Sequence, residues 1–108
     1  MHSTLIVARM APERHAEVSG LFAEFDGTEM PHRMGTRRRQ LFYYRGLYFH
    51  LQDFESADGN ERIESAKADP RFVKISDDLK PFIEAYSPDW RSPADAMATR
   101  FYSWAADA

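Results

Sequence analysis

Thr36-Arg37-Arg38-Arg39-Gln40-Leu41-Phe42-Tyr43-Tyr44-Arg45-Gly46-Leu47-Tyr48-Phe49-His50-Leu51-Gln52-Asp53 is the stretch whose reading decides the fold. Two β-rich runs, roughly 36–45 and 47–53, flank Arg45-Gly46, which reads as a tight hairpin turn. A two-residue turn sets Tyr44 opposite Leu47, Tyr43 opposite Tyr48, Leu41 opposite His50 and Arg39 opposite Gln52. Side chains facing each other across a ladder share a face. One face therefore carries Arg39, Leu41, Tyr43, Tyr48, His50 and Gln52. The other, more apolar face carries Phe42, Tyr44, Leu47, Phe49 and Leu51. Alternation also splits the arginine run, with Arg37 and Arg39 pointing one way and Arg38 the other.

Outward from the hairpin, residues 3–10 are β-branched and short enough for a strand. Pro12 opens a helix over about 12–26. Its face is Val18, Leu21, Phe22 and Phe25, at helical spacing, and Asp26-Gly27 ends it. A turn-rich segment, 28–35, leads into the hairpin. Residues 58–86 read as helical, with Phe72, Ile75, Leu79, Phe82, Ile83 and Tyr86 at three- and four-residue steps. Pro70 splits this segment and Pro81 kinks it. Residues 87–97 read as a connection, and Thr99–Trp104 as the last strand. With no repeat, low-complexity tract or linker, the expectation is a single domain over 1–108. The order β-α-β-β-α-β is that of an α+β, ferredoxin-like fold: a four-stranded antiparallel sheet with helices on one face.

Composition narrows the function classes. The net charge of −3 argues against nucleic acid, which needs a clustered basic surface. Arg45-Gly46-Leu47-Tyr48-Phe49 begins like the third-strand signature of RNA-recognition domains. It departs from that signature at Leu47, Tyr48 and Gln52, and the first strand has no aromatic. There is no membrane-spanning run and no secretory-type start, so a cytoplasmic location is expected. Cysteine is absent, which removes disulfides and thiolate chemistry. His2, His15, His32 and His50 show no metal-ligand spacing, so no metal is expected. Aromatics are 14 % of 108 residues. A domain this small leaves much of its surface exposed, so a ligand cavity or, preferably, a dimer interface is needed to cover them.

His50 is the best-placed histidine for proton transfer near neutral pH. Arg39 and His50, framed by phenols, can bind and polarise a small, flat, oxygen-rich molecule. Asp26 also reads as an ordinary helix terminator, and His32 as a loop histidine of the kind that often binds ligands.

Four segments together resemble the tetracenomycin-type family of small polyketide cyclases. They are Phe22-Ala23-Glu24-Phe25-Asp26-Gly27-Thr28-Glu29-Met30-Pro31, Gly35-Thr36-Arg37-Arg38-Arg39-Gln40-Leu41-Phe42, Leu47-Tyr48-Phe49-His50-Leu51 and Phe101-Tyr102-Ser103-Trp104. The resemblance implies a cofactor-free enzyme of bacterial aromatic (type II) polyketide biosynthesis, making a pigment or an antibiotic. It implies a homodimer of ferredoxin-like subunits with strand exchange, a dimeric α+β barrel, in transient contact with the synthase. Asp26, Arg39 and His50 match the family's candidate polar residues. The helix-end histidine that precedes the aspartate is Phe25 here, and His32 is a candidate replacement. The implied reaction is an aldol-type closure with loss of water. Arg39 would bind enolate or ketone oxygens, His50 would move the proton, and Asp26 would orient a partner or assist as a base. Phe25, His32, Tyr43, Tyr48 and Trp104 are expected to contact the substrate. The alternatives are a cofactor-free aromatic monooxygenase of the same fold and a non-catalytic polyketide-binding subunit.

Overall fold

The computed structural model describes residues 2–55, 59–89 and 93–106. The sheet has four strands, β1 (His2–Met10), β2 (Thr36–Tyr44), β3 (Leu47–Phe54) and β4 (Ile83–Ala85). Their order is β2-β3-β1-β4 and every pairing is antiparallel. Helices α1 (His15–Asp26), α2 (Met30–Met34), α3 (Gly59–Ala66) and α4 (Pro70–Leu79) cover one face. This is the expected ferredoxin-like arrangement. Among the described residues no helix is long and apolar enough to cross a membrane.

The hairpin has the expected register, from Tyr44↔Leu47 to Arg39↔Gln52. Arg45 (φ 47°) and Gly46 (φ 86°) are both left-handed, the backbone that matches a two-residue turn to strand twist. Gly46 N–H donates to the Tyr43 hydroxyl (2.8 Å) and Met10 N–H to the Gly46 carbonyl (3.0 Å), tying the turn to β1. An irregularity between Thr36 and Arg38 starts β2. All three arginines of the run are ion-paired: Arg37 with Glu55, Arg38 with Asp53 and Arg39 with Asp26.

The sheet's helix-covered face is the polar one of the hairpin. Tyr48, His50 and Gln52 are buried there beside Ala8, Met10 and Phe54, against Val18, Phe22 and Phe25 of α1. The apolar face is the open one, with Phe42 and Tyr44 half exposed.

Three expectations change. Residues 28–35 contain a short helix, α2, whose Met30 and Met34 are buried. The Thr28 hydroxyl accepts from Met30 N–H and donates to the Phe25 carbonyl, bridging α1 and α2. Residues 83–85 are strand rather than helix. Pro81 cannot continue α4, so the chain turns through a Phe82 N–H to Leu79 carbonyl bond and Ile83–Ala85 pair with β1. The fourth strand is therefore not Thr99–Trp104. Met97 bridges Ile6 and Ala98 N–H reaches the Leu5 carbonyl, after which little of β1 remains to pair with. Phe101, Tyr102 and Trp104 are 95, 71 and 76 % exposed.

The proline expected to split the helical segment does so from a favourable position. Pro70 occupies the first turn of α4, behind Asp69, whose carboxylate caps the helix by accepting from Arg71 N–H. Asp69 also binds the side chains of Arg33 and Arg71, and Arg71 reaches Glu29. This cluster fastens α4 to α2.

Candidate active site

A cavity of about 290 Å³ lies between the sheet and the helices. Phe22 and Phe25 of α1, Ile63 of α3, Phe72, Ile75 and Leu79 of α4, and Ile6 and Ile83 of the sheet supply its apolar wall. Its polar groups sit at opposite ends of the chain's elements. Arg39, Tyr48, His50 and Gln52 come from the hairpin, and the exposed Ser76, Lys80 and Glu84 come from α4 and its junction with β4.

Arg39 organises the hairpin end. Its Nε lies 3.1 and 3.0 Å from the two carboxylate oxygens of Asp26. Its Nη1 donates to His50 Nε2 at 2.8 Å. A guanidinium only donates, so Nε2 is the acceptor and the ring hydrogen sits on Nδ1. The rings of Phe22 and Phe25 lie 5.0 and 5.6 Å from the guanidinium carbon, within cation–π range. Nη2 is 2.9 Å from Asp26 Oδ1 but off the hydrogen-bonding direction, and it is a buried donor with no hydrogen-bond partner.

This setting governs protonation. Burial, and then the adjacent Arg39 charge, bring His50 down to about 3, so the ring is neutral at physiological pH. Burial pushes the Tyr48 phenol well above its ordinary value, with Arg39 pulling partly the other way. Tyr48 is therefore a neutral donor or acceptor. The hairpin end of the cavity holds a buried cation, Arg39, 93 % shielded from solvent and paired with Asp26. Such a charge acts strongly on any oxygen that becomes negative beside it.

Asp26, Phe25, Arg39, Tyr48 and His50 thus come together, although Asp26 reaches the cavity only through Arg39. Three expected contacts lie elsewhere. His32 is exposed, because Met30 and Met34 take the buried side of α2. Tyr43 turns its hydroxyl to the hairpin backbone and its ring to His15, 4.7 Å away. Trp104 is exposed on the segment that leaves the sheet. Strand reading placed Gln52 on this face but gave it no role. Ser76, Lys80 and Glu84 had no sequence signal, because the turn after α4 brings them to the cavity. Among the described residues no three His, Asp or Glu side chains are close enough to hold a metal ion.

The family model for polyketide synthesis cyclases matches residues 2–105. The chain belongs to this family. Polyketide synthase CurG of Streptomyces cyaneus is 39 % identical over 108 residues, covering 99 % of this cyclase-family chain and all of its relative. Tetracenomycin F2 cyclase of Streptomyces glaucescens is 37 % identical over 105 residues, with 97 and 95 % covered. The solved structure of that type II polyketide cyclase superposes with a TM-score of 0.92 at 36 % identity, covering 99 % of this chain and 100 % of the other. A cofactor-independent oxygenase from Streptomyces nogalater superposes at 0.57 with 16 % identity, over 84 and 95 % of the two chains. That likeness is one of fold.

Proposed function

We propose that this family member acts as a single-domain, cofactor-independent enzyme. It would close a ring of an aromatic polyketide intermediate by an intramolecular aldol-type reaction with loss of water. The observation that carries this reading is the Arg39 guanidinium lining an apolar cavity with its Nη2, though ion-paired with Asp26, making no hydrogen bond: a donor held ready for a carbonyl or enolate oxygen. A methylene between two carbonyls is already acidic. As enolate charge develops, the substrate oxygen bound at Nη2 also takes over the Nη1 N–H, and His50 Nε2, released from Nη1, accepts the methylene proton. The negative enolate makes an imidazolium tolerable where the free site does not. The enolate carbon then bonds to a ketone carbon within the same chain, the new alkoxide takes the proton back, and elimination expels water.

Asp26 holds the guanidinium in place through Nε. Phe25 and Tyr48 bound the space in which the flexible chain is folded, and orientation of this kind supplies up to roughly 7–11 kcal/mol. Phe25 stands where the family's helix-end histidine is expected, so no mechanism here runs through an imidazole at that position.

The proposed working unit is a cytoplasmic homodimer. Exposed Phe101, Tyr102 and Trp104, and the open sheet face with Phe42 and Tyr44, support an exchange of C-terminal segments. Brief contact with the synthase would deliver the intermediate.

Co-expression with a minimal aromatic polyketide synthase tests the reading. Wild-type protein is expected to convert a mixture of spontaneous ring patterns into one defined product of unchanged oxygen content, and Arg39→Ala to restore the mixture. Products that gain oxygen would replace cyclisation with monooxygenation. A pattern that survives Arg39→Ala would reduce the protein to a binding template.

A further inference from the structure

We propose that Gln52 is a second oxygen-binding group of the cavity. It would act with Arg39 so that the site selects two oxygens in the 1,3 relation of a β-dicarbonyl enol. This rests on the Arg39 reading above and extends it. Gln52 is 4 % exposed, lines the cavity and stands directly opposite Arg39 in the β2–β3 ladder, where facing Cβ atoms are about 5 Å apart. On its other side it stands opposite Thr4 of β1. Arg39, Gln52 and Thr4 therefore form one polar row across three strands, on the covered face.

That row is short of partners. The Thr36 hydroxyl donates to Gln52 Oε1 at 3.5 Å, and the amide Nε2 has no partner among the described residues. The buried side-chain polar atoms without a hydrogen bond among the described residues are Arg39 Nη2 and Thr4 Oγ1, one on each side of Gln52. Buried donors left unmatched oppose folding, and such costs gather where a ligand completes the bonding. Arg39 Nη2 is such a donor, and the Gln52 amide stands beside it on the neighbouring strand at the same cavity wall. A delocalised 1,3-dicarbonyl enolate carries negative charge on two oxygens in one plane. The charged donor takes one oxygen and the amide the other. A ketone with a single oxygen uses Arg39 alone.

The test is binding rather than turnover. 1-Acetyl-2-naphthol carries its ketone and phenol oxygens in the 1,3 relation, and 2-naphthol lacks the ketone. Both are titrated into wild-type protein, Gln52→Leu, Gln52→Glu and Arg39→Ala. Gln52→Leu is expected to weaken the acetyl compound about five- to tenfold and to change 2-naphthol less than about twofold. Gln52→Glu, which sets a carboxylate against Arg39, is expected to weaken the acetyl compound at least as much. Unchanged affinity for the acetyl compound in Gln52→Leu overturns the proposal, as does equal weakening of both probes, which would mark Gln52 as packing only. Arg39→Ala is expected to weaken both probes. If it weakens neither, the underlying Arg39 reading fails separately. A wild-type protein that binds neither probe overturns both.

Discussion

Arg39 Nη1 and His50 Nε2 meet at 2.8 Å across adjacent strands, eleven residues apart in sequence. The imidazole nitrogen that would act as a base is thereby held by the cation that would bind the substrate. The two roles are coupled, because a ligand oxygen on Arg39 is what frees the base.

Arg39→Lys keeps the positive charge but loses the planar fork that reaches Asp26, His50 and a ligand at once. The rate of defined-product formation is expected to fall by roughly 10²–10³, the usual loss for an oxyanion donor. Initial rates from product quantification check this. A lysine variant within twofold of wild type would mean that charge alone suffices.

His50 makes stability depend on pH with a definite sign. Its folded-state pKa of about 3 lies below the unfolded value of about 6.5. Its contribution is therefore full above pH 6.5 and is lost as the pH falls towards 3. His50→Gln keeps an acceptor for Arg39 and removes the titration. Between pH 7 and 4.5 the wild type is expected to lose about 2–3 kcal/mol more than this variant, measured by urea unfolding. Parallel pH profiles would contradict the buried neutral ring.

Gly35 ends α2 at φ 76°, and a Cβ there would stand 2.6 Å from Arg62 Nη1. The arginine end can move aside, whereas the left-handed backbone remains unfavourable. Gly35→Ala is expected to cost about 1–2 kcal/mol in urea unfolding with product pattern unchanged. A stability within 0.3 kcal/mol of wild type, about the error expected of such a measurement, would show that α2 can end differently.

The C-terminal aromatics give a test of assembly. Replacing Phe101, Tyr102 and Trp104 together by Ser removes three large rings that are mostly exposed within one chain. Light scattering is expected to show a dimer for the wild type and a folded monomer for the variant, with circular dichroism unchanged. A dimer that persists would move the interface to the open sheet face alone.

What the sequence determined by itself was local. The two-residue turn at Arg45-Gly46 fixed the hairpin register, because left-handed turn geometry and a period of two leave no freedom once the turn is placed. Helical spacing placed Val18, Phe22 and Phe25, and alternation put Arg39, His50 and Gln52 on one face. Long-range packing decided the rest. That the helices cover the polar face rather than the more apolar one cannot be read from alternation, which is symmetric between faces. Phe82, Ile83 and Tyr86 continued a helical period, yet Pro81 and an open edge of β1 made Ile83–Ala85 the fourth strand. Thr99–Trp104 has strand-forming residues but, within one chain, almost no strand left to pair with. The neutral, arginine-bound state of His50 arises only when burial and a neighbouring cation act on the same ring, and both are properties of the folded chain.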